Sequence, residues 1–333
     1  MTASKTRRRV ELDIDLHASG RQVGDIRIRW SDNRRPLGHY AVPVICLGRG
    51  EGPILLLTGA VHGDEFEGPV ALMRLVQQLD PEQIEGRLVV IPALNSAALC
   101  ESSRVSPLDG VNLNRAFPGD PGGGPTQMLA EYVESVLLPE CDAAIDLHSG
   151  GKASVFAPCV LAQLDGDNGT RNRALAEAFG APYLWVSGNN NDDRSLNAAA
   201  ARQGVAMIAA ELGGGGGCAP QMTDLAEAGL KRCLNHLGMT ELPVESGEYP
   251  ETLQHAHTLV APARGLFDRR VSAGERVEPG QVAGYLHFAD DPKRESEAVK
   301  FESSGRILAH TNRGFLERGD LVAMLARPWD GKG

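Results

Sequence analysis

The sequence predicts an open α/β sheet flanked by helices, with a small C-terminal all-β domain, and three observations carry that prediction. Between residues 54 and 212, continuous apolar runs alternate with segments of helical periodicity. The alternation stops near LNHLGM, residues 234–239. Beyond it come short strand-like runs divided by Gly-containing turns, with no helical pattern between them. At 333 residues and 42% hydrophobic, the chain is long enough for a large core and a smaller companion.

Taken in order, ELDIDLHASGRQVGDIRIRWSD alternates apolar and polar residues in two runs and HYAVPVICLGRG supplies a third, so residues 1–48 read as a β arm. ILLLTG (54–59) is apolar throughout, as a strand buried on both faces must be. PVALMRLVQQL follows at helical spacing, and RLVVIPAL is the next buried strand. The succession then repeats. TQMLAEYVESVLL reads as helix, AAIDLHS as strand, RNRALAEAF as helix, APYLWVS as strand, SLNAAAARQ as helix and GVAMIAAEL as strand. Ligands of such sheets gather at the carboxyl ends of the strands. ELPVESGEYPE, with two prolines and a glycine, reads as a linker, dividing a main unit (1–245) from a β unit (246–330) whose strands occupy 250–328. Within the latter, RRVSAGERVEPGQVAGYL and AHTNRGFLERGDLVAML echo each other weakly, as two similar sheets of a small sandwich would.

Composition excludes several classes of function. With 33 basic against 43 acidic residues the net charge is −10, which argues against a nucleic-acid or anionic-membrane binder and leaves small molecules, or further copies of the chain, as partners. MTASKTRRRVELDID has no apolar run behind its basic residues, so it does not read as a secretory signal, and no window approaches the ~20 apolar residues of a membrane span. Six cysteines without a CxxC pair read as buried thiols of a reducing cytoplasm.

Four stretches carry candidate chemistry. In TGAVHGDEFEGP (58–69), His62 and Glu65 fall just past the end of ILLLTG, between glycines that permit a tight turn. Imidazole and carboxylate suit a divalent cation such as zinc, and His148, at the end of AAIDLHS, should emerge on the same sheet edge as a third ligand, with Asp146 behind it. The competing reading makes Asp64 or Glu65 a helix cap. SRVSPLDGVNLNRAFPG (103–119) places Arg104 and Arg115 beside Asn112 and Asn114, a set suited to holding a carboxylate, or else a solvated basic loop. Glu211 ends an apolar strand and is followed by GGGGG. A carboxylate beside a cation there can take a proton from water; a phosphate cradle is disfavoured because no GK[ST] follows.

Together and in this order, the motifs resemble the succinylglutamate desuccinylase/aspartoacylase family of the zinc carboxypeptidase superfamily. HGxE matches at His62 and Glu65, DGxNLNRxFPG at 109–119, DxHSG at Asp146, His148 and Ser149, and ELGG at Glu211. The match is strong over roughly 50–220 and looser beyond. The resemblance implies a zinc carboxypeptidase-like open mixed sheet and one zinc ion per chain on His62, Glu65 and His148. It implies Glu211 as the general base that activates the zinc-bound water, Arg104 polarising the scissile carbonyl, and Asn114 and Arg115 on the substrate carboxylate. The reaction implied is removal of an acyl group from a small N-acyl amino acid. GDEFEGPVAL and DLHSGGK look closest to members acting on N-acetyl-diaminobutyrate, whereas WVSGNNNDDRSLN (185–197) departs from them, and Asp192 and Asp193 read there as solvated loop acids in preference to partners of a cationic side chain. A peptide carboxypeptidase and a catalytically inactive metal-containing binding module are the alternatives. VxAPxxGxxxxxVxxGxxVxxGQ resembles a biotinyl/lipoyl half-barrel, but DDPKRES around Lys293 is no modification motif, so the β unit reads as structural or oligomer-forming. His255 and His257 read as surface imidazoles of one strand face.

Overall fold

The computed structural model describes residues 9–187 and 192–331. Strands β1 (Val10–Leu12) and β2 (Gly20–Arg29) form an antiparallel arm with the first half of β3 (His39–Gly59). HYAVPVICLG and ILLLTG, read above as two strands, are joined in this single 21-residue element, which bends where Gly48 and Gly50 take φ of 136° and 66°. Glycine is required at the bend, since a Cβ on Gly48 would lie 2.2 Å from the Gly86 carbonyl oxygen. The bend wraps β3 around β4 (Glu85–Ile91): Val89 faces Cys46 on one edge and Leu56 on the other, and 54–58 run parallel to β4.

The alternating region contains α1 (Glu67–Gln78), α2 (Ser96–Cys100), α3 (Pro125–Tyr132), β5 (Ala143–His148), β6 (Ser154–Phe156), β7 (Cys159–Ala162), α4 (Gly169–Phe179), β8 (Tyr183–Val186), α5 (Leu196–Arg202), β9 (Ala206–Glu211) and α6 (Pro220–His236). The second half of β3, then β5, then β9 lie side by side in parallel. Two-residue alternation along these strands sorts the core. Leu55, Leu57, Ile145, Leu147, Ile208 and Ala210 face one side, covered by α1, α4 and α6; Leu56, Ala144 and Met207 face the other, covered by α3 and α5. Four elements escaped the sequence reading. α2, β6 and β7 are five, three and four residues long, too short for a periodic signal, and in α6 Gly229 interrupts the apolar spacing.

The C-terminal strands are β10 (Glu251–Val260), β11 (Gly265–Arg269), β12 (Arg276–Val277), β13 (Val282–His287), β14 (Glu297–Lys300), β15 (Gly305–Thr311), β16 (Phe315–Leu316) and β17 (Leu321–Pro328). β10 pairs with β8 and so, with β17, β15 and β12, prolongs the large mixed sheet. The remainder form a separate antiparallel sheet in the order β14-β13-β11-β16. Leu259, Ile307 and Leu325 from the large sheet meet Phe267, Leu286 and Val299 from the small one in a shared apolar layer. β15 also pairs with β6, which follows directly from the loop after β5. Of the six cysteines, all unpaired, Cys46, Cys141, Cys159 and Cys233 are buried as expected, but Cys100 and Cys218 are exposed. Among the described residues no helix is long and apolar enough to cross a membrane.

Gly229 is retained in α6 because the helix approaches α4 closely: a Cβ there would lie 2.8 Å from the Phe179 ring. Gly229→Ala, although favourable for helix propensity, is expected to destabilise the chain by about 1–3 kcal/mol through overpacking. Thermal denaturation checks this, and a raised Tm would contradict the packing argument.

Candidate metal centre

Three parallel strands deliver the site. β3 ends at Gly59 opposite Leu147 of β5, and β5 ends at His148 opposite Glu211 of β9, so their carboxyl ends share one edge. After β3 the chain folds through residues 60–66 against the loop following α2, where the Gly63 N–H donates to the Ser103 carbonyl at 2.9 Å. Only glycine fits this contact, because a Cβ on Gly63 would sit 2.0 Å from the Ala98 carbonyl carbon. The capping reading of the acids does not hold: the residue flanking α1 is Phe66, with no side-chain cap. Asp64 instead accepts from the Lys152 N–H at 2.9 Å, tying this turn to the loop after β5. Glu65 turns into the site.

Glu65 is 2% exposed, and its two oxygens face two imidazoles: Oε1 lies 2.7 Å from His62 Nδ1 and Oε2 lies 2.8 Å from His148 Nδ1. The far nitrogens also face oxygens. His62 Nε2 is 3.1 Å from Asn112 Oδ1, which must be the carbonyl oxygen because it also accepts from the Asn114 N–H. His148 Nε2 is 2.7 Å from Asp146 Oδ2, and Asp146 is itself held by the Thr58 hydroxyl at 2.7 Å. Two neutral imidazoles carry one N–H each, yet here four ring nitrogens meet oxygen acceptors. With the protons drawn to Asn112 and Asp146, both Nδ1 lone pairs point at a carboxylate, and a bound cation would satisfy such a set.

The electrostatics agree. Burial alone would raise the Glu65 carboxyl, but the charge of His148 and hydrogen bonds from both imidazoles outweigh it and hold it below the ordinary carboxylate range. Burial would lower His148, but Asp146 and Glu65 drive it well above the usual imidazole value. The pocket therefore favours positive charge. His62, Glu65 and His148 place ligand atoms within 4.8 Å of one another, and this is the group of three found among the described residues. An N,N,O set of this kind suits zinc. His255, by contrast, is engaged with the Thr258 hydroxyl at 2.9 Å and joins no such group.

The structure distributes the other sequence-selected residues unevenly. Glu211 lies beside His148, its Oε2 buried with no partner, and burial pushes its carboxyl up to about 8 despite the opposing pull of His148 and Arg104. Arg104 reaches the centre, with Nη1 3.3 Å from Glu65 Oε1. Asn114 and Arg115 follow Asn112 in a tight turn, but both are engaged: Asn114 Oδ1 accepts from the Leu196 N–H at 2.9 Å, and Arg115 Nε lies 2.9 Å from Asp192 Oδ2. Asp192 is therefore not a free loop acid but a paired, partly exposed one, and Arg194 also binds it. Residues 188–191 of the 185–197 stretch lie outside the described residues. Asn112 as the partner of His62, and Asp192 as that of Arg115, had no sequence signal beyond proximity in one turn or none at all. A buried group able to hold a cation, an unpartnered carboxylate and a guanidinium converging on one edge are the parts that metal-assisted hydrolysis of a carbonyl compound requires.

Comparison with known proteins agrees with this geometry. Residues 51–237 match the succinylglutamate desuccinylase/aspartoacylase catalytic domain. The N-alpha-acetyl-L-2,4-diaminobutyric acid deacetylase of Halomonas elongata is 34% identical over 329 residues, 95% of this chain and 94% of that protein. A succinylglutamate desuccinylase/aspartoacylase from Rhodobacter sphaeroides superposes with a TM-score of 0.90 at 34% identity, over 96% of this chain and 100% of the other. The product-bound ectoine utilization protein EutE (DoeB) from Ruegeria pomeroyi superposes with a TM-score of 0.91 at 31% identity, over 96% and 99%.

Two measurements probe the centre. Asp146→Asn removes no ligand but loosens the His148 ring, and is expected to weaken zinc binding about 10–100-fold in a competitive metal titration; unchanged affinity would contradict the role of Asp146. The second concerns Glu211, whose pKa in the folded chain lies above its ordinary 4.5. Its contribution to stability is thus present below that value and lost as pH rises through about 8. In chelator-treated protein the wild type should lose stability relative to Glu211→Gln across that window, on the order of several kcal/mol. Urea denaturation at either end reads the difference, and parallel pH dependences would contradict it.

Proposed function

The chain belongs to the succinylglutamate desuccinylase/aspartoacylase family, and on that premise we propose that it is a zinc-dependent deacylase that removes the acetyl group from N-α-acetyl-L-2,4-diaminobutyrate or a close analogue. The observation that supports the chemistry most directly is the convergence of His62, Glu65 and His148 beside the unpartnered Oε2 of Glu211. The substrate assignment leans on the 34% identity to the Halomonas elongata enzyme across nearly the whole of both chains.

In this reading His62, Glu65 and His148 hold the zinc ion, which when bound supplies a Lewis acid for the amide carbonyl and for water. Glu211 takes a proton from the attacking water at Oε2 and delivers it to the departing nitrogen; its raised pKa suits a group that must both accept and release a proton near neutrality. Arg104 turns its guanidinium toward the negative charge that develops on the carbonyl oxygen. Arg115 and the amide nitrogen of Asn114 receive the α-carboxylate, Asn114 Oδ1 being held by the Leu196 N–H so that Nδ2 is the end left to donate. The products are a carboxylate and a free amino acid.

Residues 1–245 carry this machinery, and we assign 246–330 the task of bracing it. Asn312, just past β15, donates from its backbone to the Ala153 carbonyl at 2.8 Å and from Nδ2 to the carbonyls of Lys152 and Gly215 at 3.3 Å. Those carbonyls belong to the loops that follow His148 and Glu211.

Amine release from N-α-acetyl-L-2,4-diaminobutyrate, N-acetylaspartate and N-succinylglutamate, with zinc-loaded and chelated protein, tests the assignment. Chelator-sensitive turnover of the first is expected, with kcat falling about 10²–10⁴-fold in Glu211→Gln. Turnover of peptides alone, or full activity in Glu211→Gln, would overturn it.

A further inference from the structure

Arg115 already holds a carboxylate in the free protein. Its Nε lies 2.9 Å from Asp192 Oδ2, and its Nη1 donates to the Asn114 carbonyl at 2.7 Å. Arg194 approaches the same carboxylate through Nε and Nη2, both at 2.9 Å, and donates its backbone N–H to Oδ1. These bonds, that of the Arg194 side chain foremost, hold the Asp192 carboxyl down to about 2, so the group is ionised at any working pH.

Exposed ion pairs are commonly casual, but the backbone beneath this one is fixed. Phe117 N–H donates to the Arg194 carbonyl at 3.2 Å, Leu196 N–H to Asn114 Oδ1 at 2.9 Å, and Arg202 Nη1 to the Asp193 carbonyl at 2.7 Å. Arg202 is in turn locked by two 2.8 Å bonds to the buried Glu134. Residues 192–196 are thus docked on the turn that carries Asn112 to His62.

Charge then limits what can bind. Two guanidinium groups around one carboxylate leave a single net positive charge, enough for one substrate carboxylate. The Nε edge of Arg115 is occupied, so an incoming carboxylate must use its outer nitrogens. A substrate anchored in that way brings its side chain close to Asp192. A second carboxylate there is repelled and an ammonium attracted.

Resting on the reading of Arg115 as the α-carboxylate anchor, we propose that Asp192 is a positioning and selectivity residue, which sets the Arg115 fork for one carboxylate and biases the site toward amino acids with neutral or cationic side chains and against acidic ones.

The test compares wild type, the near-isosteric Asp192→Asn and the charge-preserving Asp192→Glu, all zinc-loaded. Calorimetric titration with L-2,4-diaminobutyrate and L-aspartate gives a binding ratio, and kcat and KM are measured on their N-acetyl derivatives. Wild type should favour diaminobutyrate, and Asp192→Asn should shrink that preference at least about tenfold while raising KM for acetyl-diaminobutyrate with kcat little changed. Asp192→Glu should recover part of the preference. A binding ratio unmoved in Asp192→Asn overturns the proposal, and if turnover persists the deacylase reading survives it. A shifted ratio in a protein that hydrolyses neither acetyl compound upholds Asp192 and overturns the deacylase reading instead.

Discussion

Four ring nitrogens of two imidazoles all meet oxygen acceptors in this protein, and two neutral rings cannot supply four protons. Everything around His62, Glu65 and His148 sharpens that shortage. Asn112 and Asp146 draw the available N–H groups outward, and Glu65 is buried between the two inward lone pairs; the raised pKa of His148 reports the same demand for positive charge, which a proton can answer where a cation does not. The sheet makes the arrangement rigid. Because β3, β5 and β9 are adjacent and parallel, their carboxyl ends bring a tight turn, a histidine and a glutamate to one edge, and the apolar runs Leu55–Leu57, Ala143–Ile145 and Ala206–Ile208 fix the register.

Two carboxylates a short distance apart are driven in opposite directions by these surroundings. Glu65 is tied to both imidazoles and to Arg104 and stays ionised; Glu211, desolvated and with Oε2 unpartnered, is pushed toward the neutral range. A ligand for a cation must be a stable anion, and a group that shuttles a proton must sit near the working pH, so the divergence fits the roles proposed for the two. The groups proposed to receive substrate sit differently: Arg104, Arg115 and Asp192 lie between the main elements, and their placement depends on cross-loop contacts.

The division between rigid strand ends and stitched loops also explains what could be read in the sequence. His62, Glu65, His148 and Glu211 each follow or end a continuous apolar run, and such runs announce buried strands whose ends point to a site. The α/β alternation was legible for the same reason. The engagement of Asn112 with His62 and of Asp192 with Arg115 was not, because each joins residues far apart in the chain through loop geometry that no periodicity encodes. β6 and β7 were lost to their brevity. The pairing of β10 with β8 was hidden because a strand's pattern reports which face is buried and not which neighbour it hydrogen-bonds.

One metal ion would meet the proton shortage at these imidazoles. Anomalous diffraction at the zinc edge, from crystals of the zinc-loaded protein, tests this most directly. A single anomalous peak is expected, bonded to Nδ1 of His62, Nδ1 of His148 and the carboxylate of Glu65, with both Nε2 atoms still facing Asn112 and Asp146. A peak elsewhere, or ligation through Nε2 of either histidine, would contradict it.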